Sequence, residues 1–160
     1  FVQQYHVDDF HSPFVFYEPG FNLRSTDLNA FIGLEQLRKL DGMTARRQAN
    51  HERYLAQLGK RFYTQRPPQG SKVASISFGL LADSPEQRKR IVQALVAEGV
   101  ETRIFSAGNL GLHPFWMNRY GKASFPVADR VHHCGFFLPN HASMTDQDVL
   151  QISRIVLEAA

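Results

Sequence analysis

The distribution of apolar residues predicts one long helix in the first half of the chain. Thr26 offers a side-chain oxygen that can cap a helix, and Asp27 adds negative charge to its first turn. The apolar positions then recur at helical spacing: Leu28, Phe31, Ile32, Leu34, Leu37, Leu40, Tyr54, Leu55 and Leu58. This pattern predicts a helix that runs from Thr26 to about Gly59, with a kink at Gly42.

Strand and helix patterns alternate after the turn sequence Pro-Pro-Gln-Gly at residues 67–70. Two capped helices are predicted, one behind Ser84 with a capping box completed by Gln87, and one behind Thr145. The other predicted elements are strands at 73–80, 100–104 and 136–138, a loop at 106–124 and a short helix at 126–134. This order predicts a small α+β layer, in which helices pack on a short sheet.

Composition and charge narrow the class of protein. Of the 160 residues, 43% are hydrophobic and 21% are charged, which excludes a disordered or fibrous chain. No apolar run approaches the roughly 20 residues of a membrane helix, so we do not expect an integral membrane protein. The net charge is only +3. The densest basic clusters lie at 46–47 and 88–90, and we interpret them as solvated helix faces rather than as a surface that binds nucleic acid.

The only cysteine is Cys134, so no intramolecular disulfide can form. This suits a reducing compartment, and we expect a cytoplasmic protein. The chain begins at Phe1 without a methionine or a secretory leader pattern, and we interpret it as a piece of a longer polypeptide. Residues 1–21 are rich in aromatic side chains, which predicts a segment that packs against the rest of the polypeptide or against a partner subunit.

Asn22 and Arg24 are the first candidates for a binding site. If residues 21–25 are extended, both side chains point to the same side, just before the predicted helix N-terminus. An amide donor, a guanidinium and a helix start together suit a phosphate or a diphosphate. The alternative is that Asn22 and Arg24 only form hydrogen bonds within the loop and the helix cap.

The segment around these two residues resembles the signature of a known family. Residues 20–30 read Gly-Phe-Asn-Leu-Arg-Ser-Thr-Asp-Leu-Asn-Ala, and Gly-Leu-Glu-Gln-Leu follows at 33–37. This sequence resembles the DegT/DnrJ/StrS family of pyridoxal-phosphate-dependent sugar aminotransferases, many of which carry tyrosines where this chain has Phe21 and Leu23. The similarity continues more weakly to residues 138–146.

The resemblance implies an architecture of α/β and α+β type, the C-terminal portion of a fold type I transferase. Residues 1–66 would be the end of the large domain, with a dimer-facing loop and the long helix, and residues 71–160 the small α+β domain. The cofactor would be pyridoxal 5'-phosphate, the substrate a nucleotide sugar and the assembly a homodimer. Asn22 would bind the cofactor phosphate of the neighbouring active site, and Arg24 would line the nucleotide-sugar pocket.

A second resemblance concerns the branch of the family. Val-Glu-Thr-Arg at 100–103 and Ala-Gly-Asn at 107–109 are similar to the nucleotide 4-keto-6-deoxyhexose 3-dehydratases, whereas Leu-His-Pro at 112–114 is similar to the aminotransferases. The branch stays open, with a leaning toward the dehydratases. The residues that become candidates for substrate binding are Glu101, Arg103 and Asn109. The alternative for the first two is a surface ion pair or charge at a sheet edge.

No catalytic residue is assigned within the chain. In the family the catalytic residue is a lysine, or a histidine in the 3-dehydratases, and it precedes the long helix. In this protein that residue would lie before Phe1. No lysine of this chain matches that context, so we expect the chain to be inactive alone. No metal is assigned to the histidines at 132, 133 and 141 with Cys134, because adjacent residues on a helix diverge by about 100°.

Two hypotheses of another class stay open, a non-catalytic module that binds an anionic polymer and a structural dimerisation module. For an enzyme, the reaction would be amino transfer to a 4-keto sugar or removal of its C3 hydroxyl. Such reactions would make unusual sugars for bacterial surface polysaccharide, including lipopolysaccharide, or for a glycosylated metabolite.

Overall fold

The computed structural model describes residues 25–105 and 108–160. The helices in this part of the chain are α1 (Asp27–Leu37), α2 (Leu40–Leu58), α3 (Pro85–Ala97), α4 (Pro114–Tyr120), α5 (Pro126–Cys134) and α6 (Asp146–Glu158), with a 3₁₀ turn at Leu110–Leu112. The strands are β1 (Tyr63–Thr64), β2 (Ser77–Leu81), β3 (Arg103–Ile104) and β4 (Gly135–Pro139). None of these helices combines the length and the apolarity that a membrane crossing requires.

The described strands form an antiparallel sheet in the order β1-β2-β4-β3. In the central pair, Phe78 of β2 lies opposite Leu138 of β4, and Leu80 lies opposite Phe136. All four side chains are buried, because alternate residues of paired strands point to the same face of the sheet. That face is the floor of the hydrophobic core.

Helices α2, α3 and α6 cover this core face. Their buried apolar residues are Tyr54 and Leu58 of α2, Ile91 and Leu95 of α3, and Val149, Ile152 and Val156 of α6. Removing a side chain of this size from water stabilises the fold by about 1.5–3 kcal/mol. Because these three helices lie on one side, they leave the second face of the sheet to other elements.

Buried hydrogen bonds tie α2 to the end of β4. Tyr54 Oη donates to the carbonyl oxygen of Pro139 at 3.1 Å. Asn140 Nδ2 donates to the carbonyl oxygens of Arg47 and Ser75, both at 3.0 Å. A buried carbonyl that loses its donor costs free energy, so these bonds fix the place where the last strand meets the helix.

The predicted order of elements from residue 71 onward is largely confirmed. The short helix has the predicted bounds Pro126–Cys134, Ser84 caps α3, and Thr145 forms a complete capping box on α6. The capping box predicted at Ser84 is wrong in its second half. The Gln87 side chain accepts a hydrogen bond of 2.7 Å from the backbone N–H of Asp83, one residue before the cap.

The first helix is interrupted earlier than predicted. Arg38 and Lys39 separate α1 from α2, and Gly42 lies in the first turn of α2, so the predicted kink at Gly42 is wrong. A glycine there disturbs little, because N–H groups in a first turn have no acceptor within the helix. The loop predicted at 106–124 contains the 3₁₀ turn and α4, and β1 was not predicted at all.

The chain divides into two compact units, Phe1–Leu37 and Arg38–Ala160. In the described part of the first unit, α1 buries none of its residues, and its exposed apolar side chains are Leu28, Phe31, Ile32, Leu34 and Leu37. The sheet and α2 belong to the second unit. The assignment of residues 1–66 to a large domain and of 71–160 to a small one stays a prediction.

Candidate functional site

The second face of the sheet carries the candidate site. Pairing between strands brings Gly79 of β2 and Arg103 of β3 to either side of Phe137 of β4. Paired residues share a face of the sheet. Glu101 and Phe105 flank β3 and join this side through their contacts, Glu101 with Arg103 and Phe105 with Phe137. The strands and these contacts therefore bring a carboxylate, a guanidinium and an aromatic ring to the same face.

Glu101 and Arg103 form an ion pair. Arg103 Nε and Nη2 donate to Oε1 of Glu101 at 3.1 Å and 3.0 Å. The side chain of Arg103 is 78% exposed and that of Glu101 is 74% exposed. A surface ion pair was the alternative to substrate binding for these two residues, and their role as substrate ligands stays a prediction. An ion pair this exposed contributes at most about 1 kcal/mol, so an incoming ligand can replace one partner at small cost.

A cavity of about 530 Å³ opens on the same face. Gly79 and Leu81 of β2 and the ring of Phe105 line one side, and α5 lines the other. Arg130 of α5 is the charged residue among those that line it. Its size and mostly apolar lining are those of a site for a small organic molecule.

Phe105 is seated over a glycine. Its ring stacks on the ring of Phe137, with centroids 4.5 Å apart and planes inclined by 26°. A β-carbon built on Gly79 would lie 2.5 Å from Cε2 of Phe105. Only a residue without a side chain admits the ring at this point, so Gly79 forms a notch for Phe105.

Asn109, a predicted substrate ligand, is buried and hydrogen-bonded to its own loop, to Ala123 and to α5. The residue is 1% exposed. Its amide Nδ2 donates to the carbonyl oxygen of Ala123 at 3.2 Å and to Oδ1 of Asp129 at 2.5 Å, and its Oδ1 accepts from the N–H of Gly111 at 2.8 Å. Both amide hydrogens are therefore used inside the protein, and a role as direct substrate ligand stays a prediction.

Asp129 receives a second hydrogen bond, from Ser124 Oγ to its Oδ2 at 2.5 Å. The donors Ser124 and Asn109 favour the charged carboxylate, so they lower the pKa of Asp129 below its ordinary value. Asp129 is therefore an anion at neutral pH and accepts from both neighbours.

His132 of α5 completes this region. The backbone N–H of Asn109 points at its Nδ1 over 3.4 Å. Gly108, with a φ of +66°, lies against the same ring, and a β-carbon there would be 2.2 Å from Nδ1. Both the backbone conformation and the space at this position require glycine.

The other two predicted site residues, Asn22 and Arg24, lie outside the described residues. The sequence did not predict that Phe105 packs into the notch at Gly79, or that Asp129 accepts a hydrogen bond from Asn109. The alternation of residues 101, 103 and 105 was a usable signal for Phe105. Asp129 gave none, because an acidic residue in a short helix ordinarily faces solvent.

Comparison with known proteins bears on this geometry. One protein-family model matches residues 3–157 of the chain. The chain belongs to the DegT/DnrJ/EryC1/StrS aminotransferase family. The resemblance inferred from residues 20–37 is thereby confirmed.

Members with known activities show which part of a DegT/DnrJ/EryC1/StrS enzyme the chain corresponds to. The GDP-4-keto-6-deoxy-D-mannose 3-dehydratase of Escherichia coli O55:H7 (strain CB9615 / EPEC) is 34% identical over 104 residues, which are 64% of this chain and 27% of that enzyme. A solved structure of the E. coli enzyme of that name, with bound hydrated pyridoxal phosphate, has a TM-score of 0.72 at 24% identity and covers 94% of this chain and 40% of its own.

An aminotransferase has the same fold. The structure of TlmJ from Streptoalloteichus hindustanus has a TM-score of 0.75 at 27% identity, and the match covers 89% of this chain and 38% of TlmJ. The chain thus spans between a quarter and two fifths of the length of these proteins. The predicted fold class, the C-terminal portion of a fold type I transferase, is confirmed.

Proposed function

We propose that the chain is the C-terminal part of a pyridoxal-phosphate-dependent enzyme that acts on a nucleotide-linked 4-keto sugar. The reaction is amino transfer to the keto group or removal of the C3 hydroxyl. The observation that carries the proposal is family membership across residues 3–157. The similarity to a 3-dehydratase and to an aminotransferase supports both reactions.

Among the described residues, Arg103 is the one that we propose binds the nucleotide sugar. A guanidinium presents paired donors to a phosphate or a diphosphate. Its partner Glu101 is exposed, so exchanging that carboxylate for a ligand oxygen costs little. Once released, the Glu101 carboxylate is an acceptor for hydroxyl groups of the sugar.

The described residues do not form a cradle for the cofactor by themselves. The cavity beside Phe105 is largely apolar, and no lysine is among the residues that line it. When bound, pyridoxal phosphate supplies an electron sink for the carbon that loses a proton. The catalytic lysine or histidine would precede Phe1. The chain alone would therefore be inactive.

The proposal extends to a homodimer with a shared active site. Asn22 would bind the cofactor phosphate in the neighbouring active site, and Arg24 would line the nucleotide-sugar pocket. The exposed apolar residues of α1 support a role for this part of the chain in contacts beyond the described residues. The setting would be the cytoplasm, and the product a sugar for lipopolysaccharide or a related surface polysaccharide.

The experiment is turnover by the complete protein. It is purified with pyridoxal phosphate, its absorbance spectrum is recorded, and it is incubated with glutamate and GDP-4-keto-6-deoxymannose. Mass spectrometry of the nucleotide sugar separates an amino product from a deoxygenated one. Either product, together with a protein-bound cofactor spectrum, agrees with the proposal.

The opposite outcome is equally clear. A complete protein that retains no cofactor and leaves a panel of nucleotide-linked keto sugars unchanged would contradict the proposal. If that protein also bound nucleic acid with an affinity that falls steeply with salt, the anion-binding alternative would be favoured.

A further inference from the structure

We propose that Asn109 and Asp129 form a clasp that positions β3, and with it Arg103, for the nucleotide sugar. Asn109 then acts through the backbone and not as a substrate ligand. The inference rests on the proposed function, since it concerns the same substrate. Four structural observations lead to it.

The first observation is that β3 is weakly held by the sheet. It is an edge strand of two residues, and its ladder to β4 consists of the pairs Arg103–Phe137 and Ile104–Phe136. Ile104 is largely exposed, so it adds little apolar burial to this attachment. A short edge strand of this kind needs further contacts to keep its side chains in one position.

The second observation is the pair of contacts that follows β3 in the chain. Phe105 stacks on Phe137 and fills the notch at Gly79. The N–H of Gly108 donates to the carbonyl oxygen of Phe105 at 3.1 Å. The position of Arg103 is therefore linked through Phe105 to Gly108 and to the residue after it, Asn109.

The third observation is that Asn109 is saturated by partners from three segments. Its side chain bonds to Gly111, Ala123 and Asp129, and it has almost no exposed surface. To donate to a substrate it would have to give up one of its two amide hydrogen bonds, to the Ala123 carbonyl or to the charged Asp129 carboxylate. Asn109 therefore has the geometry of a residue that positions its neighbours, not of one that contacts a substrate.

The fourth observation is that the clasp is anchored on a helix. Asp129 and His132 are three residues apart on α5, so they lie on the same side of that helix. Asp129 holds the side chain of Asn109, and His132 lies against its backbone N–H and against Gly108. The segment after β3 is thus tied to the helix that lines the cavity.

The test is steady-state kinetics of the complete enzyme with GDP-4-keto-6-deoxymannose, or with whichever nucleotide-linked keto sugar of the panel the wild type turns over. Asn109→Ala and Asp129→Ala should each raise KM for the sugar by about 10-fold or more, because small displacements of a binding group are costly, with kcat nearly unchanged. The double variant should be no worse than the more affected single variant, since both changes open the same clasp. Asn118→Ala, an exposed position on α4, is the control and should keep the wild-type KM.

Exchanging Asn109 and Asp129 distinguishes an effect on the position of Arg103 from a general loss of protein stability. Asn109→Asp sets two carboxylates against each other and should raise KM, and adding Asp129→Asn restores a donor and an acceptor between the positions and should recover part of the loss. Unchanged KM in both single alanine variants of an active enzyme would overturn the clasp while leaving the proposed function intact. A raised KM for Asn109→Ala alone would make Asn109 a substrate ligand and also overturn it. A wild-type enzyme without turnover would refute the proposed function and the clasp with it.

Discussion

The ring of Phe105 occupies the space above Gly79 that a β-carbon would fill. The contact joins an edge strand to the centre of the sheet, because Gly79 lies on β2 and Phe105 directly follows β3. The face with this contact also carries Arg103 and the cavity, so the site depends on a residue that has no side chain.

Gly79→Ala tests this dependence. The added methyl group would lie 2.5 Å from Phe105 Cε2, so the ring must move. We expect the free energy of unfolding to fall by about 1–3 kcal/mol, the usual cost of overpacking, as measured by urea denaturation of the complete protein. Gly42→Ala is the matched control, because a β-carbon there meets no atom within 4 Å and the residue is helical, so the variant should be neutral or slightly more stable. Equal stability of both variants would refute the notch.

Asn140→Ala should destabilise the junction between α2 and β4. The carbonyl oxygen of Ser75 would lose its side-chain donor, and that of Arg47 would keep only the backbone hydrogen bond within α2. Two hydrogen bonds are lost and the Ser75 carbonyl is left without a donor, so we expect the free energy of unfolding to fall by about 1–3 kcal/mol in the same urea experiment. Asn118→Ala, at an exposed position, should change stability by less than about 0.5 kcal/mol. A loss at Asn140 no larger than this control would contradict the assignment.

His51 should make the stability of the fold sensitive to mild acid. It is 7% exposed, its ring lies 5.0 Å from that of Phe78, and neither ring nitrogen has a hydrogen-bond partner. Burial lowers the pKa of His51, and the nearby charge of Glu52 opposes this only in part. Below about pH 6.5 the unfolded chain therefore binds a proton that the folded chain refuses, and stability falls as the pH falls.

The measurement is the urea midpoint of the complete protein between pH 5.5 and 7.5. His51→Leu removes the titrating group and should flatten the dependence on pH, while stability at pH 7.5 changes little. An equally steep dependence in wild type and variant would assign it to other groups. Asn118→Ala, at an exposed position on α4 and without a titrating side chain, is the control and should keep the wild-type slope.

Local rules predicted much of the fold from the sequence. Ser84 and Thr145 start helices because their oxygens accept backbone N–H groups, and Pro126 starts α5 because proline suits a first helical position. The strand at Phe136 was predicted from the apolar run between Gly135 and Pro139. These signals depend on neighbours in the chain, so one sequence is enough to read them.

The candidate site was less readable, because its contacts join distant parts of the chain. The bond between Asn109 and Asp129 spans 20 positions, and the seat of Phe105 depends on a glycine 26 residues earlier. The sequence left open whether Glu101 and Arg103 bind a substrate or form a surface ion pair, and only the structure shows that they pair with each other. Strand β1 went unnoticed because two residues form no periodic pattern.

The most direct measurement is the affinity of the complete enzyme for its nucleotide sugar, determined by isothermal titration calorimetry for wild type and Arg103→Ala. Loss of a charge-assisted contact to phosphate should weaken binding by about 10-fold or more. Arg154→Ala, on the exposed side of α6 and away from the second face of the sheet, should bind as wild type does. An Arg103→Ala enzyme that binds the nucleotide sugar as tightly as the wild type would contradict the site proposed on this face.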